Sequence, residues 1–170
     1  MRLFIAINLS DEMKDSLIFA QNSMYDHGIR GNFTTEENMH LTLAFIGEYP
    51  DADRVLDVLS TISFTPFDIT LEGIGCFGDL WWVGLKESFP LMSVVRRIRR
   101  ALAESEIPFD RKRFSPHITL IRKASGKMPG IQVRPTSMTV STISLMRYDR
   151  GRNGMIYTEL GVKEGSAQSS

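Results

Sequence analysis

Two hydrophobic rhythms take turns along this chain. Residues 3–8, LFIAIN, form a short run of β-formers and predict a buried strand. Met13, Leu17, Ala20 and Met24 then recur at helical spacing, with Ser10 placed to cap the helix and Asp11 and Glu12 in its first turn. Gly28 and Gly31 end the helical region, and residues 34–38 are polar and turn-like. A second strand is expected over 39–46, followed by a loop at 47–53. Asp51 should cap a helix whose inner face is Val55, Leu59 and Ile62.

The rhythm then starts again. Residues 67–77 predict a strand, in which Gly73 and Gly75 suggest a bulge or a close backbone approach. Gly78-Asp79 separates it from a hairpin partner at 80–85. Ser88 can cap a helix with Leu91, Val94, Val95, Ile98 and Leu102 on one face, closed off by Pro108. Arg96, Arg97, Arg99 and Arg100 flank that face and are expected as a solvated basic surface. A basic loop at 109–116 leads into a strand at 117–121, and residues 124–135 form a loop. A long strand is expected over 137–148, with a change of apolar parity between Val140 and Ile143 that suggests a bulge. A turn at 150–154 precedes a last strand at 155–160. The expected organisation is a single domain over 1–162 with residues 163–170 as a flexible tail.

The second half repeats the first. Leu80 follows Leu3 by 77 residues, His117 follows His40 by the same 77, and Val94 and Val95 fall on Leu17 and Ile18 at that offset. Such an internal period predicts two similar lobes related by a pseudo-twofold axis, with equivalent strands facing each other. Within it lie HLTLAFIG, residues 40–47, and HITLIRK, residues 117–123. Each opens His-apolar-Thr-Leu. Side chains alternate along a strand, so His and Thr two apart share a face. Two such strands face to face would present His40, Thr42, His117 and Thr119 to one small anion. Imidazole titrates near neutrality, and two of them can act as acid and base in one displacement, while hydroxyls hold oxygens without ionising. The third histidine, His27, has no such frame and reads as a solvated loop residue.

Composition narrows the classes. Cys76 is the one cysteine, so neither an intrachain disulfide nor a cysteine metal cluster is possible, as suits a reducing compartment. The N-terminus lacks a signal-peptide pattern, and no apolar run approaches the ~18 residues of a membrane span. A cytoplasmic, membrane-free protein is expected, and a monomer. Net charge is zero but uneven: residues 1–90 carry 5 basic and 14 acidic side chains, residues 91–170 carry 15 and 6. A basic half would help to draw in RNA or another phosphate ester. Two motif histidines are too few for a zinc site, and neither HExxH nor a GxxxxGK phosphate loop is present.

HLTLAFIGE and SPHITLIRK resemble the two signature motifs of the 2H phosphoesterases. The opening RLFIAINLSDEMK and the motif spacing are similar to the bacterial and archaeal RNA 2′,3′-cyclic phosphodiesterases, also called 2′-5′ RNA ligases. The resemblance implies a bilobal α+β fold, each lobe a mostly antiparallel sheet with outer helices and the active-site cleft between the sheets. It implies hydrolysis of a terminal 2′,3′-cyclic phosphate on RNA to a 2′-phosphate, with no metal or other cofactor, and 2′-5′ ligation as a possible reverse activity. By the same resemblance His40 is the general acid on the departing O3′ and His117 the general base on water. Thr42 and Thr119 donate to the phosphate oxygens, Arg122 holds the phosphate or the base, and Phe45 stacks on the nucleobase. Strand parity by itself puts Phe45 opposite His40 and Thr42 unless the strand bends. Trp81 and Trp82 are read as core or lobe-interface packing. The acidic loop 33–38 departs from the aromatic or basic residues of many relatives, which bears on the preferred RNA. Two other readings keep the cleft: a phosphodiesterase of small cyclic nucleotides or 2′-5′ oligoadenylates, and a non-catalytic module that binds RNA ends.

Overall fold

The computed structural model describes residues 1–166. Strand β1 (Arg2–Asn8) leads through helix α1 (Asp11–Asp26) and a short strand β2 (Arg30–Phe33) to β3 (His40–Glu48). Helix α2 (Ala52–Ser60), strands β4 (Phe67–Phe77) and β5 (Leu80–Leu85), helix α3 (Phe89–Glu104) and strand β6 (His117–Ser125) follow. Strands β7 (Ser137–Val140), β8 (Thr142–Gly151) and β9 (Gly154–Glu164) complete the described chain. The fold is α+β with two sheets, ordered β3-β1-β8-β9 and β2-β6-β5-β4-β7. Every strand pairing among the described residues is antiparallel.

Helix starts follow the capping logic. The hydroxyls of Ser10 and Ser88 accept from the backbone N–H of Met13 and Leu91, and the Asp51 carboxylate accepts from that of Arg54. Each cap satisfies a donor that the first helical turn leaves unpaired. The inner faces of α1 and α3 are buried as their spacing predicts. No helix among the described residues is long and apolar enough to cross a membrane.

The 77-residue period survives in three dimensions. β3 and β6 have equal lengths and begin 77 residues apart, and their burial patterns agree at every position except the seventh. β3 pairs with β1 as β6 pairs with β5. The helices do not simply lie outside their own sheets. α1 leaves the first sheet and packs on β6 and β7 of the second, while α3 leaves the second and packs on β3 as well as β4. Two polar contacts mark the exchange. The buried amide of Gln21 in α1 donates to the carbonyl of Leu120 at 3.0 Å, and the guanidinium of Arg99 in α3 donates to that of Leu43 at 3.2 Å. Leu43 and Leu120 are 77 residues apart, each directly after a motif threonine. Arg99 is therefore a half-buried strut rather than part of the solvated basic surface.

Other departures have local causes. β2 carries no apolar alternation and forms by pairing along the edge of β6. The expected long strand at 137–148 is two strands in different sheets: β7 pairs with β4, β8 with β1, and Ser141 is the joint. The parity change there marks a change of sheet, not a bulge. β9 continues through Lys163 and Glu164, and backbone hydrogen bonds run on to Ser166, so the chain is ordered past 162. The rest of the expected tail, residues 167–170, lies outside the described residues. The glycine prediction in β4 holds: register shifts between Leu71 and Ile74, Gly73 has φ +76°, and a Cβ at Gly75 would overlap the Trp82 indole.

Candidate active site

A cavity of about 840 Å³ opens between the two sheets, and His40, Thr42, His117, Thr119 and Arg122 all line it. Each histidine is the first residue of its strand. Each is also anchored the same way: Nδ1 of His40 donates to the carbonyl of Asn38, and Nδ1 of His117 to that of Ser115, both at 2.7 Å. A carbonyl can only accept, so Nδ1 carries the proton and Nε2 is the nitrogen free for chemistry. Nε2 of His40 meets the Thr42 hydroxyl at 2.9 Å, as the shared strand face predicts.

The two imidazoles sit in different surroundings. His40 packs against Phe4, with ring centroids 4.8 Å apart, and edge-on against Tyr157 at 5.1 Å. Burial pushes its pKa from 6.5 down to about 4. The Asn38 carbonyl opposes that fall and the positive charge of Arg122 adds to it. In the empty site His40 is thus neutral at physiological pH. His117 is flanked by Phe77, edge-on at 5.3 Å, and by Trp82 at 6.1 Å. Trp82 is therefore not only packing: its ring sits between Gly75 and a motif histidine.

Phe45 is not among the residues that line the cavity. A register shift between Ile5 and Ala6 pairs Phe4 with Phe45 and turns Phe45 back to the face that carries His40 and Thr42. There it is 42% exposed and lies against Tyr148, with centroids 5.5 Å apart. Arg122 follows Phe45 by 77 residues, and beside it β6 has its own register shift, opposite Trp81 and Trp82. The two equivalent bulges thus place an aromatic ring in one half and a cation in the other. His27 lies outside the cavity, its Nδ1 bonded to the Ser23 carbonyl.

Residues that no motif announced complete the lining. Tyr157 and Met155 belong to β9, on the far edge of the first sheet from β3. Strands spaced about 4.8 Å apart would set these edges roughly 14 Å apart in a flat sheet. The Tyr157–His40 contact therefore requires strong curvature, and the amide of Asn38, in the turn just before β3, donates to the Met155 carbonyl of β9 at 3.0 Å. Burial raises the Tyr157 pKa, so its phenol keeps its proton. Of the acidic loop 33–38, Phe33, Thr34, Thr35 and Asn38 line the cavity, whereas Glu36 and Glu37 do not. Among the described residues no three His, Cys, Asp or Glu side chains converge as metal ligands would.

The sequence model of the 2′-5′ RNA ligase superfamily matches residues 31–152, a span holding both histidine motifs. The chain belongs to the 2′-5′ RNA ligase superfamily. The RNA 2′,3′-cyclic phosphodiesterase of Aeropyrum pernix is 30% identical over 82% of this chain and 89% of its own length. That of Geobacillus stearothermophilus is 29% identical over 82% of this chain, which spans 49% of that longer relative. Among solved structures, E. coli LigT complexed with 3′-AMP superposes with a TM-score of 0.87 at 27% identity, covering 97% of this chain and 98% of LigT. LigT has also been solved with ATP. The fold is thus shared with LigT over nearly the whole of both chains.

Proposed function

We propose that this member of the superfamily hydrolyses a terminal 2′,3′-cyclic phosphate on RNA to a 2′-phosphate, using His40 and His117 and no metal ion. The observation that carries the reading is one cavity lined by two His-x-Thr pairs, one from each sheet, each imidazole fixed through Nδ1 with Nε2 left to react. Water attacks phosphorus and gives a proton to Nε2 of His117. The P–O3′ bond breaks, and Nε2 of a protonated His40 supplies the proton that O3′ takes up. The products are a 2′-phosphomonoester and a free 3′-hydroxyl. Thr42 and Thr119 donate to the nonbridging oxygens, and Arg122 balances their charge. His40 is neutral in the empty site, so the acid role requires the entering phosphate anion to raise its pKa.

The reading is supported by relatives named as RNA 2′,3′-cyclic phosphodiesterases. A LigT complex with ATP favours a second reading, in which small nucleotides occupy the same cavity. The test is turnover of an RNA ending in 2′,3′-cyclic phosphate, compared in chelator with 2′,3′-cyclic mononucleotides and 2′-5′ oligoadenylates. Cleavage of the RNA end in chelator is expected. Activity on the small substrates alone would support the second reading, and dependence on added metal would refute the two-histidine mechanism.

A further inference from the structure

The aromatic contacts around His40 do not stop at the cavity. Phe4 touches His40 and Tyr157, and also Tyr148 at 5.8 Å; Tyr148 in turn touches Phe45. Register places all of these rings on one face of the first sheet: Phe4 opposite Phe45 and Met146, and Tyr148 opposite Tyr157. Phe4 is buried beneath the others, while Phe45 at the outer end is among the exposed large apolar side chains. The series therefore runs from the candidate acid out to solvent, and none of the core's packing needs its outer end.

Cations border that outer end. The guanidinium of Arg2 lies over the Tyr148 ring, 5.1 Å from its centroid. The N–H of Asp110 donates to the carbonyl of Phe45 at 2.8 Å, and the chain reaches the cavity at His117 seven residues later. Arg111, Lys112 and Arg113 are thus strung, all exposed, between Phe45 and the cavity. Nearby carboxylates are already engaged: Glu48 pairs with the N-terminal amine, Asp149 with Arg147, and Asp110 accepts from the backbone of Lys112. Among the described residues Arg2, Arg111, Lys112 and Arg113 form no ion pair. Aromatic faces beside cations without ion pairs, next to the cavity that holds both motif histidines, match the needs of a single strand, which offers bases to stack and phosphates to neutralise.

We propose that Phe45 and Tyr148, with the cationic loop 111–113, form a track for the single-stranded RNA immediately upstream of the reacting end. Bases stack on the two rings and the backbone passes Arg2 and the loop. This inference rests on the proposed function and extends it from a terminal nucleotide to the strand behind it.

The experiment compares kcat/KM for a 2′,3′-cyclic mononucleotide with that for an octanucleotide carrying the same terminus. Wild type should prefer the octamer about tenfold or more, since each stacked base adds binding energy along the strand. In F45S, and in an R111S/R113S double variant that alters only exposed side chains, the octamer-to-mononucleotide ratio should drop about fivefold or more. The double variant should also show a shallower salt dependence. Equal ratios in wild type and variants would overturn the track while leaving the reaction standing. If neither substrate is cleaved, the proposed function fails, and fluorescence anisotropy of a labelled octamer decides the track by itself. Binding weakened in both variants supports it, and unchanged binding overturns it.

Discussion

The proposed acid role of His40 requires a change of protonation state when an anion enters the cavity, and the size of that change can be worked out. Its midpoint in the empty site is about 4, set first by burial. An acid working near neutrality needs a midpoint of about 7 in the complex, a differential stabilisation of roughly 4 kcal/mol. One anionic oxygen about 4 Å from the imidazolium supplies about 4 kcal/mol at the effective dielectric of a partly buried site. The same anion screens Arg122, whose charge holds the midpoint down. A single well-placed anion is therefore enough. Sulfate is the right probe, because it keeps its charge across this range and only the protein titrates. The His40 Cε1–H resonance, assigned by its loss in H40Q, should titrate near 4 in the free protein and several pH units higher with sulfate saturating. Linkage fixes the sign for affinity. The bound midpoint lies above the free one, so the gain in sulfate affinity is full below about 4 and is lost as pH rises through the bound midpoint. H40Q should lack that part of the pH dependence. A His40 midpoint still near 4 with the site occupied would refute the reasoning, and His117 would have to be the acid.

H40A and H117A should each lower kcat by about 10²–10⁴-fold with an unchanged far-ultraviolet circular dichroism spectrum, since general acid–base assistance contributes on that scale. R122A should raise the His40 midpoint in the empty site, because it removes a repelling charge, and should lower kcat/KM; the resonance used above reads the first effect directly. Q21L leaves the Leu120 carbonyl short of a buried donor and should cost about 1–3 kcal/mol in urea unfolding. G75V would press into the Trp82 ring and should destabilise by about 1–3 kcal/mol, with a broadened His117 resonance as its signature at the site.

The parts of the fold that local chemistry controls were legible. Three helix caps, the inner faces of α1 and α3, the β4–β5 hairpin and the 77-residue period all follow from residue spacing. The motif pairs followed too, because two-residue alternation is a property of any strand. What could not be read depends on partners distant in the chain. Arg30–Phe33 has no apolar alternation and becomes a strand only against β6. Val140 and Ile143 lie in different sheets, which in one dimension looks the same as a bulge. Arg99 seemed solvent-facing from helix geometry, yet the crossed packing of α3 on β3 gives it the Leu43 carbonyl. Tyr157 carries no motif, and it reaches His40 only because the first sheet curves enough to bring a ring on β9 against one on β3. Phe45 turned on a bulge: parity placed it away from His40, and the register shift returned it to that face but outside the cavity.

The central claim is that two imidazoles on one phosphorus atom open a cyclic diester without a metal. Incubating an RNA bearing a 2′,3′-cyclic phosphate with the protein in chelator and H₂¹⁸O, and following the phosphorus resonance, tests it directly. Conversion to a single 2′-phosphomonoester carrying one ¹⁸O is expected, absent in H40A and H117A. A 3′-phosphate product, or undiminished conversion by both variants, would contradict it.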